Sequence, residues 1–156
     1  MVAQSQDRIE KEIDLKAPVE RVWRALTDHR EFAQWFGLKL TAPFAVGKTA
    51  SGVINACGGH GDIVVEVTVR AIEPTTLFSY AWHPYAVDPA VDYSKEEPTL
   101  VEFRLEPTAA GGTKLRVTES GFDRVPAGRR VEAFRKNDGG WAAQIKNIEK
   151  YLSQHA

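Results

Sequence analysis

The chain has 156 residues, 43% of them apolar and 26% charged, which suits one domain with a single core and leaves too little for a second. Lys and Arg total 20 against 21 Asp and Glu, and a net charge of −1 supplies no field to draw in nucleic acid or an anionic membrane. The lone Cys57 excludes an internal disulfide, the opening MVAQSQDRIEKEIDL lacks the apolar core of a signal peptide, and no apolar run approaches a bilayer-spanning length, so a cytoplasmic protein is expected.

Residues 1–7 read as a tail. From 8 to 15, Ile9, Ile13 and Leu15 alternate with charges, the pattern of a half-buried strand. Pro18 suits the first turn of a helix whose apolar stripe is Val19, Val22, Trp23 and Leu26. Asp28 caps a second short helix with Phe32, Trp35 and Phe36 on its apolar face, and Gly37 ends it. Six strands are then expected at 38–44, 50–56, 62–73, 76–83, 99–107 and 113–122. Tight hairpins fall at Cys57-Gly58-Gly59-His60-Gly61 and Ala109-Ala110-Gly111-Gly112, making consecutive strands antiparallel neighbours. The connection 84–98 holds three Pro and two Tyr and is long enough to act as a lid. A final helix, starting between Gly128 and Glu132, repeats Phe134, Trp141, Ile145, Ile148 and Leu152 on one face. Gly139-Gly140 within it costs about 1 kcal/mol per glycine relative to Ala, which a close approach of another backbone would explain.

One strand, two short helices, a run of antiparallel strands and a long last helix make an α+β helix-grip arrangement. The run Ala17-Pro18-Val19-Glu20-Arg21-Val22-Trp23-Arg24-Ala25-Leu26-Thr27-Asp28, then Trp35-Phe36, resembles the opening motif of the SRPBCC or START-like superfamily, in its heat-shock chaperone ATPase activator branch. Gly112-Thr113-Lys114-Leu115, Glu119-Ser120-Gly121-Phe122, Gly140-Trp141 and Tyr151-Leu152 extend the resemblance over residues 8–153. It implies a curved sheet of about seven strands around the C-terminal helix, in one domain over 1–156. It also implies a small hydrophobic ligand, lipid-like, aromatic or polyketide-like, between sheet and helix. Two alternatives come with the superfamily, a polyketide cyclase or dehydratase type of enzyme and a chaperone ATPase co-regulator acting through its surface.

Strand parity predicts the lining of such a cavity: Val65 and Val67, then Phe78, Tyr80 and Trp82, then Phe103, Val117 and Glu119, facing Trp141 and Ile145, with Trp35 and His83 at its margins. Glu119 is the most informative of these, because a carboxylate on an apolar face must find a partner, hold a ligand or take a proton. It either reaches solvent or a structural Arg at the strand end, or anchors a ligand; in an enzyme it would be the acid or base, with His83 or Tyr80 beside it. The three aromatic Trp35, Trp82 and Trp141 fit a core as well as a ligand platform. Cys57 and His60 lie in one turn while His29, His83 and His155 lie in unrelated segments, which is not the spacing of a zinc site. No nucleotide motif or nucleophile elbow occurs, so no cofactor is expected. The basic stretch 129–136, interrupted by Glu132, reads as a solvated face. Expected partners are a small hydrophobic molecule and at most a weak homodimer, with neither nucleic acid nor membrane.

Overall fold

The computed structural model describes residues 8–56, 61–88 and 90–155. Its elements are β1 (Arg8–Leu15), α1 (Val19–Thr27), α2 (His29–Phe36), β2 (Leu38–Leu40), β3 (Thr49–Ala56), β4 (Gly61–Glu73), β5 (Leu77–Trp82), β6 (Thr99–Pro107), β7 (Thr113–Ser120) and α3 (Ala127–Gln154). Single 3₁₀ turns occupy Tyr93–Lys95 and Phe122–Arg124. Among the described residues, no helix is long and apolar enough to cross a membrane.

The strands form one antiparallel sheet in the order β1-β7-β6-β5-β4-β3-β2, so β1 closes onto β7 while the rest meander. Its concave face holds α3, the helix-grip fold. Alternation turns Val67, Phe78, Tyr80, Phe103 and Val117 inward as the sequence predicts, but they are buried in a packed core instead of lining a cavity. Asp28 accepts from the Arg30 backbone N–H and caps α2, and Gly37 closes that helix at φ +88°, where a Cβ is disfavoured. The Trp35 indole donates to the Ala25 carbonyl at 2.8 Å, fixing α2 on α1.

Several boundaries differ from the sequence reading. The strand expected over 38–44 ends at Leu40, because Pro43 lacks a ladder donor and only Thr41 continues the pairing, to Ser51. The strand expected to reach 122 stops at Ser120, where Gly121 turns to φ +99°. The last helix begins at Ala127, earlier than expected, with Pro126 as its extended N-cap. No close backbone explains Gly139-Gly140: a Cβ at either position would meet nothing within 4 Å. The hairpin tip 57–60 and the tail 1–7 lie outside the described residues.

Candidate functional site

Register brings the inner-face residues into rows. Tyr80 pairs with Val101 and Val101 with Glu119, while Trp82 pairs with Thr99 one row nearer the strand ends. Glu119 is fully buried. Its Oε2 accepts from Trp82 Nε1 at 2.8 Å and Thr99 Oγ1 at 2.6 Å, and its Oε1 from Trp141 Nε1 at 2.8 Å. Asn137 Nδ2 donates to both oxygens, at 2.9 and 3.2 Å. Neither solvent nor an Arg meets this carboxylate, contrary to the plainer sequence reading. Its lone pairs are occupied by donors from β5, β6 and α3, so it ties the helix to the sheet.

The same ring of donors closes the space expected between the sheet and α3. Trp141 packs at 5.9 Å from Trp82 and 5.7 Å from both Phe36 and Phe103, centroid to centroid. The gap bounded by Trp35, Phe103, Leu115, Val117, Trp141, Gln144, Ile145 and Ile148 does not admit a water molecule. Tyr80, also fully buried, leaves its hydroxyl without a partner among the described residues, and burial, aided by the nearby Glu119 charge, holds its phenol well above the ordinary range.

The open space lies further along α3, toward its N-terminal half. A pocket of about 530 Å³ is bounded by Ile54 of β3, by Ile63, Val64, Val65 and Glu66 of β4, by Trp82 and His83, by parts of the connection from Pro84 to Ser94, and by Lys136 and Asn137 of α3. Of the residues expected to bind ligand, Val65, Trp82 and His83 stand on this pocket. Trp35, Val67, Phe78, Tyr80, Phe103, Val117, Glu119, Trp141 and Ile145 do not, since their side chains fill the core between sheet and helix.

Arg129, in the first turns of α3, fastens the long connection over this pocket. Its Nε and Nη2 grip the Glu96 carboxylate, its Nη1 donates to the carbonyls of Pro84 at 2.7 Å and Tyr85 at 3.3 Å, and its guanidinium lies 4.8 Å from the Tyr93 ring centre. Tyr85 sits at φ +50°, a strained angle for a residue with a side chain, and these bonds hold it there. Its ring faces Lys136 Nζ at 6.0 Å, and burial together with a hydrogen bond to Glu132 raises its phenol's pKa. His83 Nε2 donates to the Glu96 carbonyl at 2.9 Å, because a carbonyl can only accept. Asp92 accepts from the backbone and hydroxyl of Ser94, which keep its carboxyl below the ordinary range.

Sequence reasoning missed Lys136, Asn137 and Arg129. A signal existed for Asn137, which lies four residues before Trp141 and so shares its helix face. The Pro-rich connection, with its two Tyr, did point to the pocket's cover.

Fold and site together define a helix-grip protein whose packed core is closed by a buried carboxylate and whose pocket opens beside it. The chain belongs to the family described as activator of Hsp90 ATPase homolog 1-like protein, which matches residues 16–153. Among solved structures it is similar to protein MLL2253 from Mesorhizobium loti, with 31% identity, a TM-score of 0.73, and 96% of this chain and 98% of that one covered. It is also similar to DynU16, a protein of the dynemicin biosynthetic locus, with 26% identity and a TM-score of 0.70, covering 94% of this chain and 47% of that one. The Aha1 dimer from Colwellia psychrerythraea shares the fold at 19% identity and a TM-score of 0.67, with 93% of this chain and 95% of that one covered. No curated protein matches the chain.

Proposed function

We propose that the protein binds a small hydrophobic molecule, aromatic, lipid-like or polyketide-like, in the pocket between β3, β4, the 84–94 connection and the N-terminal half of α3. The observation that carries this reading is the pocket itself. Its 530 Å³ falls within the range of small-molecule sites, and its walls combine Ile54, Ile63, Val65, Val87 and Val91 with Trp82, Tyr85 and Tyr93. The test is native mass spectrometry of the protein purified without denaturation, beside Val65→Trp, which fills the pocket from its sheet wall. A co-purified molecule present in the wild type and lost from a folded Val65→Trp is expected. A molecule retained by the filled variant would overturn the reading.

The superfamily resemblance carries a second reading, an enzyme of the polyketide cyclase or dehydratase type, to which the similarity to a protein of a biosynthetic locus lends support. Glu119 is poorly placed for it, since four donors occupy the carboxylate and it does not stand on the pocket wall. Of the three residues considered as acid or base, only His83 stands there. Product formation that survives Glu119→Gln and fails in His83→Ala would place the chemistry in the pocket. The family's description supports a third role, co-regulation of a chaperone ATPase through the surface, which an ATPase assay with added protein tests directly.

A further inference from the structure

The pocket contains one polar group whose orientation is imposed from behind. Glu119 offers acceptors only, so the Asn137 amide is held with its NH₂ toward it, at 2.9 and 3.2 Å from the two carboxylate oxygens. A planar amide then directs Oδ1 away from Glu119. Asn137 stands on the pocket wall, and its Oδ1 has no hydrogen-bond partner among the described residues. The other polar groups are attached less rigidly: His83 gives its Nε2–H to the Glu96 carbonyl, Asp92 accepts from Ser94, and the Lys136 ammonium lies over the Tyr85 ring, none of them set by a buried charge as Asn137 is. Two carboxylates, Glu66 and Asp92, against one ammonium, Lys136, disfavour an anionic ligand.

We infer that the pocket selects neutral aromatic molecules bearing a hydroxyl donor, a phenol or an aryl alcohol, through a hydrogen bond to the fixed Asn137 Oδ1. The inference rests on the reading of this pocket as a binding site and adds the chemical class it takes. Glu119 is a positioning residue in this arrangement: it sets the direction of the acceptor without touching the ligand. A ligand lacking the donor would leave Oδ1 facing apolar surface with its water removed, and that loss is the source of discrimination.

The experiment is a fluorescence titration at pH 7 with 2-naphthol, 2-methoxynaphthalene, naphthalene and 2-naphthoate, on the wild type and on Asn137→Ala. The wild type is expected to bind 2-naphthol about tenfold more tightly than 2-methoxynaphthalene or naphthalene, the scale of one hydrogen bond, and 2-naphthoate more weakly than 2-naphthol. Asn137→Ala should bring 2-naphthol and its methyl ether to about equal affinity while naphthalene binding persists. Equal wild-type affinities, preference for the naphthoate, or a hydroxyl preference that survives Asn137→Ala would each overturn the inference and leave the pocket reading standing. Failure of all four probes to bind would overturn both.

Discussion

Replacing Glu119 by Gln removes a charge and exchanges one acceptor oxygen for a donor, with no change of shape. Whichever way the new amide turns, its NH₂ confronts an indole N–H that can only donate: Trp141 Nε1 on the Oε1 side, or Trp82 Nε1 on the Oε2 side. On the first side Asn137 can turn its own amide to accept, and on the second Thr99 can rotate its hydroxyl, but the indole has no such freedom. One buried donor is therefore orphaned, at about 1–3 kcal/mol, and the surviving bonds lose their charge assistance, bringing the whole to about 2–4 kcal/mol. For a chain of this length that is a fall in Tm of about 5–15 °C. Differential scanning calorimetry of the wild type and Glu119→Gln checks it, with urea unfolding to confirm an unchanged m-value. A variant melting within about 1 °C of the wild type would refute the assignment of Glu119 as the tie between α3 and the sheet.

Gly139→Ala and Gly140→Ala should each raise stability by about 1 kcal/mol, since both stand in α3 with open space for a methyl group; urea unfolding decides, and destabilisation would mean the glycines are needed for the helix path. Tyr80→Phe should leave stability unchanged or raise it by about 1 kcal/mol, because the hydroxyl is buried without a partner; a loss above about 1 kcal/mol would show that it is bonded. Arg129→Gln should speed hydrogen exchange and protease cleavage across 84–96 without disturbing β6 or β7, and uniform exchange rates would contradict its role in holding that segment. Burial pushes the Glu31 carboxyl up, yet hydrogen bonds from Tyr151 and Arg21 outweigh it and leave the pKa below its ordinary 4.5. With the folded value depressed, the unfolded chain binds the proton first, so this contribution is complete above about pH 4.5 and fades as pH falls through the folded value. Glu31→Gln should flatten the acid limb of stability below that pH, and an unaltered limb would exclude Glu31 from it.

The fold was legible because its signals are periodic. Alternation named the buried faces of β4 to β7 correctly, down to Phe78, Tyr80, Phe103 and Val117, and the helical repeat of Trp141, Ile148 and Leu152 located the gripping face of α3. Boundaries were less legible where a single backbone event decides them, as at Pro43 and Gly121. Of the candidate pocket, the sequence pointed to Val65, Trp82 and His83 and to the covering connection, and to little else for a physical reason: parity says which way a side chain points, but not whether the opposing element reaches it.

That difference turns on Trp141. Its ring meets Phe36, Trp82 and Phe103 while its N–H meets Glu119, so α3 is drawn onto the sheet at this point and no room remains there. One turn earlier, Asn137 reaches the same carboxylate with a shorter side chain that covers no such area. Beyond it the N-terminal half rests on the buried Ala133, on the Phe134 ring packed edge-on against Phe122, and on Arg129's hold on the 84–96 connection. The cavity therefore opens beside the point where the attachment to Glu119 passes from the Trp141 indole to the Asn137 amide. Glu119, with donors from both sides of that change, is the hinge between core and pocket, and belongs to the pocket only through the amide it orients.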